Sequence, residues 1–262
     1  FAAAQQGKIQ RACFGIAGPV RNGRVATPNL AWVVDSRTLA QELDLPAVRL
    51  INDLEANAHG LAALEPKDLV TLNAGAPDAQ GNAAVISVGT GLGEAGLFWD
   101  GQTHHPFACE GGHADFAPRT ELELELLSYL RAKFEHVSWE RVLSGPGIHT
   151  IYQFLRETGR GKEPAELTEQ LRGPDPSAVI SKAGLEGRYE LCVQTLDLFV
   201  SCYGAEAGNL ALKLMATGGV YIGGGIAPRI VAKLQEPTFM AAFTAKGRMR
   251  ALTESMPVRV IL

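Results

Sequence analysis

Val48-Arg49-Leu50-Ile51-Asn52-Asp53 is the stretch on which the reading of this chain turns. Its apolar run predicts a buried strand, and the two polar residues that close it put chemistry at the strand's carboxyl end. Asp53 also opens the amphipathic run Leu54 to Leu61, so it serves equally well as a helix cap. Working outward, three more segments share its character: Gly89-Thr90-Gly91-Leu92-Gly93, Glu110-Gly111-Gly112-His113 and Glu140-Arg141-Val142-Leu143-Ser144-Gly145. A carboxylate, two glycine-rich turns and a polar cluster are the parts needed to move a phosphoryl group onto a hydroxyl.

The chain has 262 residues, enough for one large domain or two of medium size with a real core. With 46% hydrophobic and 20% charged residues, its composition is that of a globular protein. A net charge of −4 and the lack of a basic stripe argue against a nucleic-acid partner. No apolar run approaches the ~20 residues of a membrane-spanning helix. Cys13, Cys109, Cys192 and Cys202 are scattered without C-x-x-C spacing, which predicts neither a zinc site nor a disulfide framework and points to the cytoplasm.

Strands alternate with helices along the chain, which predicts α/β layers. Arg11 to Ala17 reads as a strand ended by Gly18-Pro19, and Asn22-Gly23 as a hairpin turn. Ser36 to Leu43 reads as a short helix, and Ala83 to Val88 as a buried strand entering the glycine turn. Leu97 to Gly101 suggests a strand and hairpin. Thr120-Glu121-Leu122-Glu123 is a capping box, and Ile148, Ile151, Tyr152 and Leu155 form a helical core stripe. Residues 160 to 187 read as loops and short helices. Arg188 to Met215 reads as long helical material, with Gly204 and Gly208 marking either a break or close packing. Gly219 to Gly223 is a short buried strand entering a third glycine cluster. Phe1 to Gly7 looks like the end of a helix, and Pro257 to Leu262 like an interrupted strand, so both ends are expected to continue in a longer protein.

Each chemical segment has two readings. Gly89 to Gly93 either brings backbone N–H groups to an anion without Cβ interference or forms a plain tight hairpin. A side chain at Gly91 is expected to block a positive φ there. The turn is not a P-loop, since no Lys-Ser/Thr follows, nor a dinucleotide fingerprint, since a strand follows. Gly218-Gly219 and Gly223 to Pro228 read either as a nucleotide pocket or as close packing of strand on helix. Glu110 and His113 suit a polyhydroxylated ligand better than a zinc ion, for which H-E-x-x-H is missing, and a polar surface loop is the plainer alternative. Glu140 is either a ligand or half of a surface ion pair with Arg141.

In this order the segments resemble bacterial glucokinase. The likeness rests on Leu50 to Asp53, Gly89 to Gly93, Glu110-Gly111-Gly112-His113-Ala114-Asp115-Phe116-Ala117-Pro118, His136 to Gly147, Gly208 to Leu212 and Gly218 to Arg229, and runs from about Arg11 to the end. It implies the two-lobed, actin-like ATPase (ribonuclease H-like) fold with a cleft between lobes, usually as a homodimer. The implied division is a small lobe over 1–64, a large lobe over 65–253 and a return to the small lobe over 254–262. It implies ATP and Mg2+ as cofactors and glucose as substrate. Carried over by position, Asp53 resembles the base for the sugar 6-hydroxyl, and Asn52, Asp53, Glu110, His113 and Glu140 resemble the sugar ligands. Gly89, Thr90, Gly91 and Gly93 resemble the second phosphate loop, and Gly218, Gly219, Gly224 and Gly225 the adenosine segment. No metal ligand is assigned. The family's first phosphate loop, Asp-x-Gly-Gly-Thr-Asn, has no counterpart here, and the chain as written is expected to be an incomplete kinase. Glu94 departs from the small or apolar residue expected after the phosphate loop. The related repressor and kinase family fits poorly, because its zinc-loop cysteines are absent after His113. The rival reading is a non-catalytic sugar-binding or regulatory module of the same fold.

Overall fold

The computed structural model describes residues 9–26 and 32–262, so the helix end expected over Phe1 to Gly7 lies outside the described residues. Strands β1 (Arg11–Ile16) and β4 (Ala47–Asn52) form a two-stranded parallel sheet. Between them lie β2 (Arg24–Ala26), β3 (Val33–Asp35) and helix α1 (Ser36–Glu42). The Asn22-Gly23 turn is present, with φ of 53° and 73°, the paired left-handed conformation a two-residue hairpin turn needs. Asp35 caps α1, its carboxylate accepting from the Arg37 N–H at 2.8 Å.

The main sheet has six strands: β5 (Leu69–Asn73), β6 (Ala83–Val88), β7 (Leu92–Trp99), β8 (His104–Cys109), β9 (Gly219–Gly223) and β10 (Val258–Ile261). Their order is β5-β10-β9-β6-β7-β8. The strands β6, β7 and β8 run as an antiparallel meander, and β9 and β10 add parallel to β6. This order places residues 258–261 in the large sheet, between β5 and β9, and not in the small lobe where residues 254–262 were expected. The run Val258-Arg259-Val260 is alternately buried and half-buried, and it pairs on both edges, so it completes a sheet interior instead of reaching back across the cleft.

One face of the sheet carries the core. Helices α3 (Glu121–Arg131), α4 (Gly145–Glu157), α5 (Ala165–Leu171) and α6 (Pro176–Leu185) pack around α7 (Glu190–Leu214), followed by α8 (Val231–Leu234), α9 (Pro237–Thr244) and α10 (Arg250–Glu254). The stripe Ile148, Ile151, Tyr152 and Leu155 is fully buried, as its helical spacing demands. Helix α7 is unbroken through both glycines: the carbonyl oxygens of Phe239 and Phe243 on α9 fill the spaces where Cβ atoms would stand on Gly204 and Gly208. Close packing is therefore their role.

The other face of the sheet receives α2 (Asp53–Gly60), whose Leu54 and Ala58 pack on Ala83, Val85, Ala95 and Leu97. The helix continues directly from β4, so the two sheets meet at the Asn52-Asp53 junction.

Candidate active site

Asn52, not Asp53, is the cap of α2. Its Oδ1 accepts from the Leu54 and Glu55 N–H groups at 2.9 and 3.3 Å, and its Nδ2 donates to Gly18 O at 3.3 Å. Both ends of this buried amide are thus engaged, leaving one N–H of Nδ2 for a ligand. Asp53 follows in the first turn, where the helix dipole favours an anion, with Oδ1 accepting from the Leu54 N–H at 3.0 Å. Freed from capping, its carboxylate is half-buried and lines a cleft.

That cleft has a volume of about 630 Å³, within the range of small-ligand sites, and is lined by Asn52, Asp53, Glu110, His113 and Glu140 together with Gly89 to Gly93. Glu110 and His113 stand on a single 3-10 turn that follows edge strand β8, closed by His113 N–H to Glu110 O at 3.0 Å. The turn is tied to the Trp139–Arg141 turn that bears Glu140. Trp139 N–H donates to Ala114 O at 3.0 Å, Phe116 N–H to Val137 O at 2.9 Å, and the Phe116 and Trp139 rings meet edge to face at 4.9 Å. Partial burial in the cleft raises the Glu110 pKa; His113 opposes this, and the nearby charges of Asp53 and Glu140 add to it. The sequence-predicted sugar residues therefore share one electrostatic field.

Glu140 does more than face the cleft. Its Oε2 accepts from the Leu92 N–H at 3.0 Å, which locks the glycine turn to the turn that bears Glu140. It makes no ion pair with Arg141, whose guanidinium lies over the Phe134 ring instead. The turn itself joins β6 to β7, with Gly89 N–H bonded to Gly91 O at 2.9 Å. None of Gly89, Gly91 and Gly93 has a positive φ, so the expectation for Gly91 needs correcting. Space, not backbone conformation, demands glycine: a Cβ at Gly91 would overlap Glu140 Oε2, and one at Gly93 would overlap the Leu54 side chain.

The glycines around β9 divide. Gly224 lines the cleft, with φ of 87° and the Val88 N and C atoms at 2.6 and 2.7 Å from where its Cβ would be. Gly225 lines a second cavity of about 730 Å³ with Gly89, Thr90, His149, Ser177, Ile226 and Arg229. Gly218 and Gly219 lie at the other end of β9: Gly219 pairs with Ala83 where Gly223 pairs with Ser87, and Gly218 N–H bonds Asn82 O at 2.8 Å. At about 3.3 Å per residue, a whole strand separates them from the cleft, so they close-pack a strand start and line neither cavity. The second cavity adjoins the first through Gly89, Thr90 and Pro146.

Several lining residues escaped the sequence reading. Ser177 carries no motif. Asp175-Pro176, which starts α6 beside the second cavity with Asp175 as cap, had a readable signal in its Pro at the first helical position. Glu94, noted only as out of place, is buried in β7 and also borders the cleft.

A glucokinase family model matches residues 1–262. The chain is 47% identical to a glucokinase of Trichormus variabilis over 266 residues, covering 97% of this chain and 78% of that protein. Among solved structures, a glucokinase from an Antarctic psychrotroph superposes with a TM-score of 0.80 at 35% identity, over 95% of this chain and 75% of that one. A ROK family glucokinase from Streptomyces griseus, solved with glucose and AMPPNP, shares the fold with a TM-score of 0.60 at 20% identity, over 98% and 78% of the two chains. These likenesses identify the α/β architecture as the two-lobed, actin-like ATPase fold, and they do not favour a non-catalytic sugar module. The chain belongs to the glucokinase family, the enzymes of ATP-dependent glucose phosphorylation.

Proposed function

We propose that Asp53 is the general base of the reaction, with Asn52, Glu110, His113 and Glu140 as the sugar ligands. The glucose 6-oxygen attacks the terminal phosphorus of ATP, the bond to the bridging oxygen breaks, Asp53 takes the hydroxyl proton and ADP leaves. A general base of this kind contributes roughly 10²–10⁴-fold in rate. The observation that carries this reading is the convergence of Asp53, Glu110, His113 and Glu140 with the Gly89 to Gly93 turn on one cleft.

ATP, when bound, supplies the transferable phosphoryl group. The residues present fit it: a glycine turn open to an anion leads from the cleft into a second cavity lined by Thr90, Gly225 and Arg229. The AMPPNP in the Streptomyces griseus glucokinase supports this use of the fold. The chain's part is to hold the phosphates on backbone N–H groups and Thr90 while Glu140 keeps the turn in register with the sugar. Among the described residues no three acidic, His or Cys side chains converge to hold a metal, so Mg2+ has no cage of protein ligands there. Among the same residues no helix is long and apolar enough to cross a membrane. A cytoplasmic homodimer is the setting the family resemblance suggests, and light scattering in solution tests the dimer.

Asp53→Asn is the direct test of the base. The amide keeps the shape and can hydrogen-bond, yet cannot accept the proton. Turnover should fall by about 10²–10⁴-fold while calorimetric glucose affinity stays close to that of the unmodified protein. Near-normal turnover in Asp53→Asn removes Asp53 from the role of base.

A further inference from the structure

Glu94 takes no part in the chemistry described above, yet it lies directly beneath the sugar-binding turn. It is 1% exposed on β7, on the sheet face that meets α7. Its backbone neighbour across the ladder is Cys109, whose Sγ lies 3.9 Å from Glu94 Oε2. Above it sits Gly111, where a Cβ would collide with the same oxygen. The other oxygen, Oε1, is the one buried side-chain polar atom without a hydrogen-bond partner among the described residues. A buried acceptor left unpaired is costly, and an unpaired buried charge costs more.

We propose that Glu94 is a positioning residue for glucose recognition: as a neutral carboxylic acid it props the Glu110–His113 turn from below, and its ionisation weakens glucose binding. The inference rests on the assignment of Glu110 and His113 as sugar ligands. The neutral acid fits the dry space between β7, Cys109 and Gly111. The carboxylate needs a donor, and the cation facing it on the α7 side, Lys213, is already bound to Glu206, so water from the cleft that Glu94 borders is what can supply one. Water reaches it by lifting the turn, which carries Glu110 and His113 out of place.

The surrounding charges agree. Burial foremost, then the Glu206 carboxylate, raises the Glu94 pKa to about 8, against the opposing Lys213 ammonium. Glu206 and Lys213 face it from α7 together with Tyr203, and Cys109 faces it from β8. Glu110 stands on the turn above, and Lys246 lies beyond Glu206. Cys109 and Tyr203 are both held above their ordinary pKa values by burial, so both stay protonated while Glu94 titrates. Glu206 is held by Asn209 Nδ2 at 2.8 Å and Lys213 Nζ at 3.3 Å, and so has partners that Glu94 Oε1 lacks. The sign follows: below the Glu94 pKa the prop is in place, and glucose affinity falls as pH rises through it.

The experiment is calorimetric glucose binding by the protein and by Glu94→Gln, an isostere of the neutral acid, at pH ~7 and ~9. In the unmodified protein affinity should drop roughly fivefold over that interval for about one pKa unit of coupling, and in Glu94→Gln the drop should vanish. A second readout needs no variant. Because glucose favours the protonated form, binding near pH ~8 should take up a fraction of a proton, seen as a buffer-dependent binding enthalpy. Identical pH profiles for the two proteins, or no proton uptake on binding, overturn the proposal alone. Failure of the unmodified protein to bind glucose at either pH overturns the sugar-site assignment and the proposal with it.

Discussion

Gly91→Ala tests the coupling of the glycine turn to Glu140, the proposed sugar ligand, and the structure supplies its magnitude. The φ of Gly91 suits any residue, so alanine carries no backbone strain. The new methyl group overlaps Glu140 Oε2 and crowds Cδ at 3.3 Å, and the carboxylate must move off Leu92. That breaks the 3.0 Å bond from the Leu92 N–H and displaces a proposed sugar ligand. A hydrogen bond to a charged group contributes about 1.5–3 kcal/mol, so kcat/KM for glucose should fall roughly ten- to hundredfold. Calorimetry should show glucose affinity falling too, since the wall itself has shifted. Gly89→Ala, where a Cβ meets nothing within 4 Å, should lose far less glucose affinity. If Gly91→Ala binds glucose within about twofold of the unmodified protein, the coupling of turn to sugar wall is wrong.

Glu110→Ala and His113→Ala should each weaken glucose binding by ~1–3 kcal/mol, the cost of a sugar hydroxyl left unpaired, and unchanged calorimetric affinity in both counts against the pocket. Gly224→Ala forces a methyl onto Val88 N at 2.6 Å at a φ of 87°, so it should cost about 1–3 kcal/mol in a denaturant melt and raise the KM for ATP; an unaltered melt would show that the backbone there gives way freely. With the Glu94 pKa raised from 4.5 to about 8, the native state binds the proton that the unfolded chain has released, so stability falls as pH rises across that window. Glu94→Gln should flatten this slope in urea melts at several pH values, and a persisting slope assigns it to another group.

Much of this architecture is legible because the signals are local. The run Ala83 to Val88 and the pair Asn22-Gly23 each fix their own conformation, and the stripe of α4 fixes its buried face. Asp53, Glu110, His113 and Glu140 were legible as a set through their motifs, although only folding shows that one cleft holds them. What the sequence hid depends on partners far along the chain. Val258 to Ile261 reads as a strand whichever sheet receives it, and only pairing with β5 and β9 decides. Gly218 and Gly224 look alike in a glycine cluster, yet a strand's length sends one to Asn82 and the other to the cleft. Asn52 against Asp53 as the cap is a one-residue matter of where β4 stops.

The seat of Leu54 on Gly93 constrains how these two motifs can vary. The isobutyl group fills the volume a side chain at 93 would need, so the residue after Asp53 and the last glycine of the Gly89–Gly93 turn form one steric unit. Their substitutions are therefore non-additive: enlarging 93 is most damaging while 54 is large, and shrinking 54 leaves a cavity that a methyl at 93 would fill. Two segments far apart in sequence, one carrying the proposed base and the other the proposed phosphate turn, thus share a single volume in the mutational landscape of the chain.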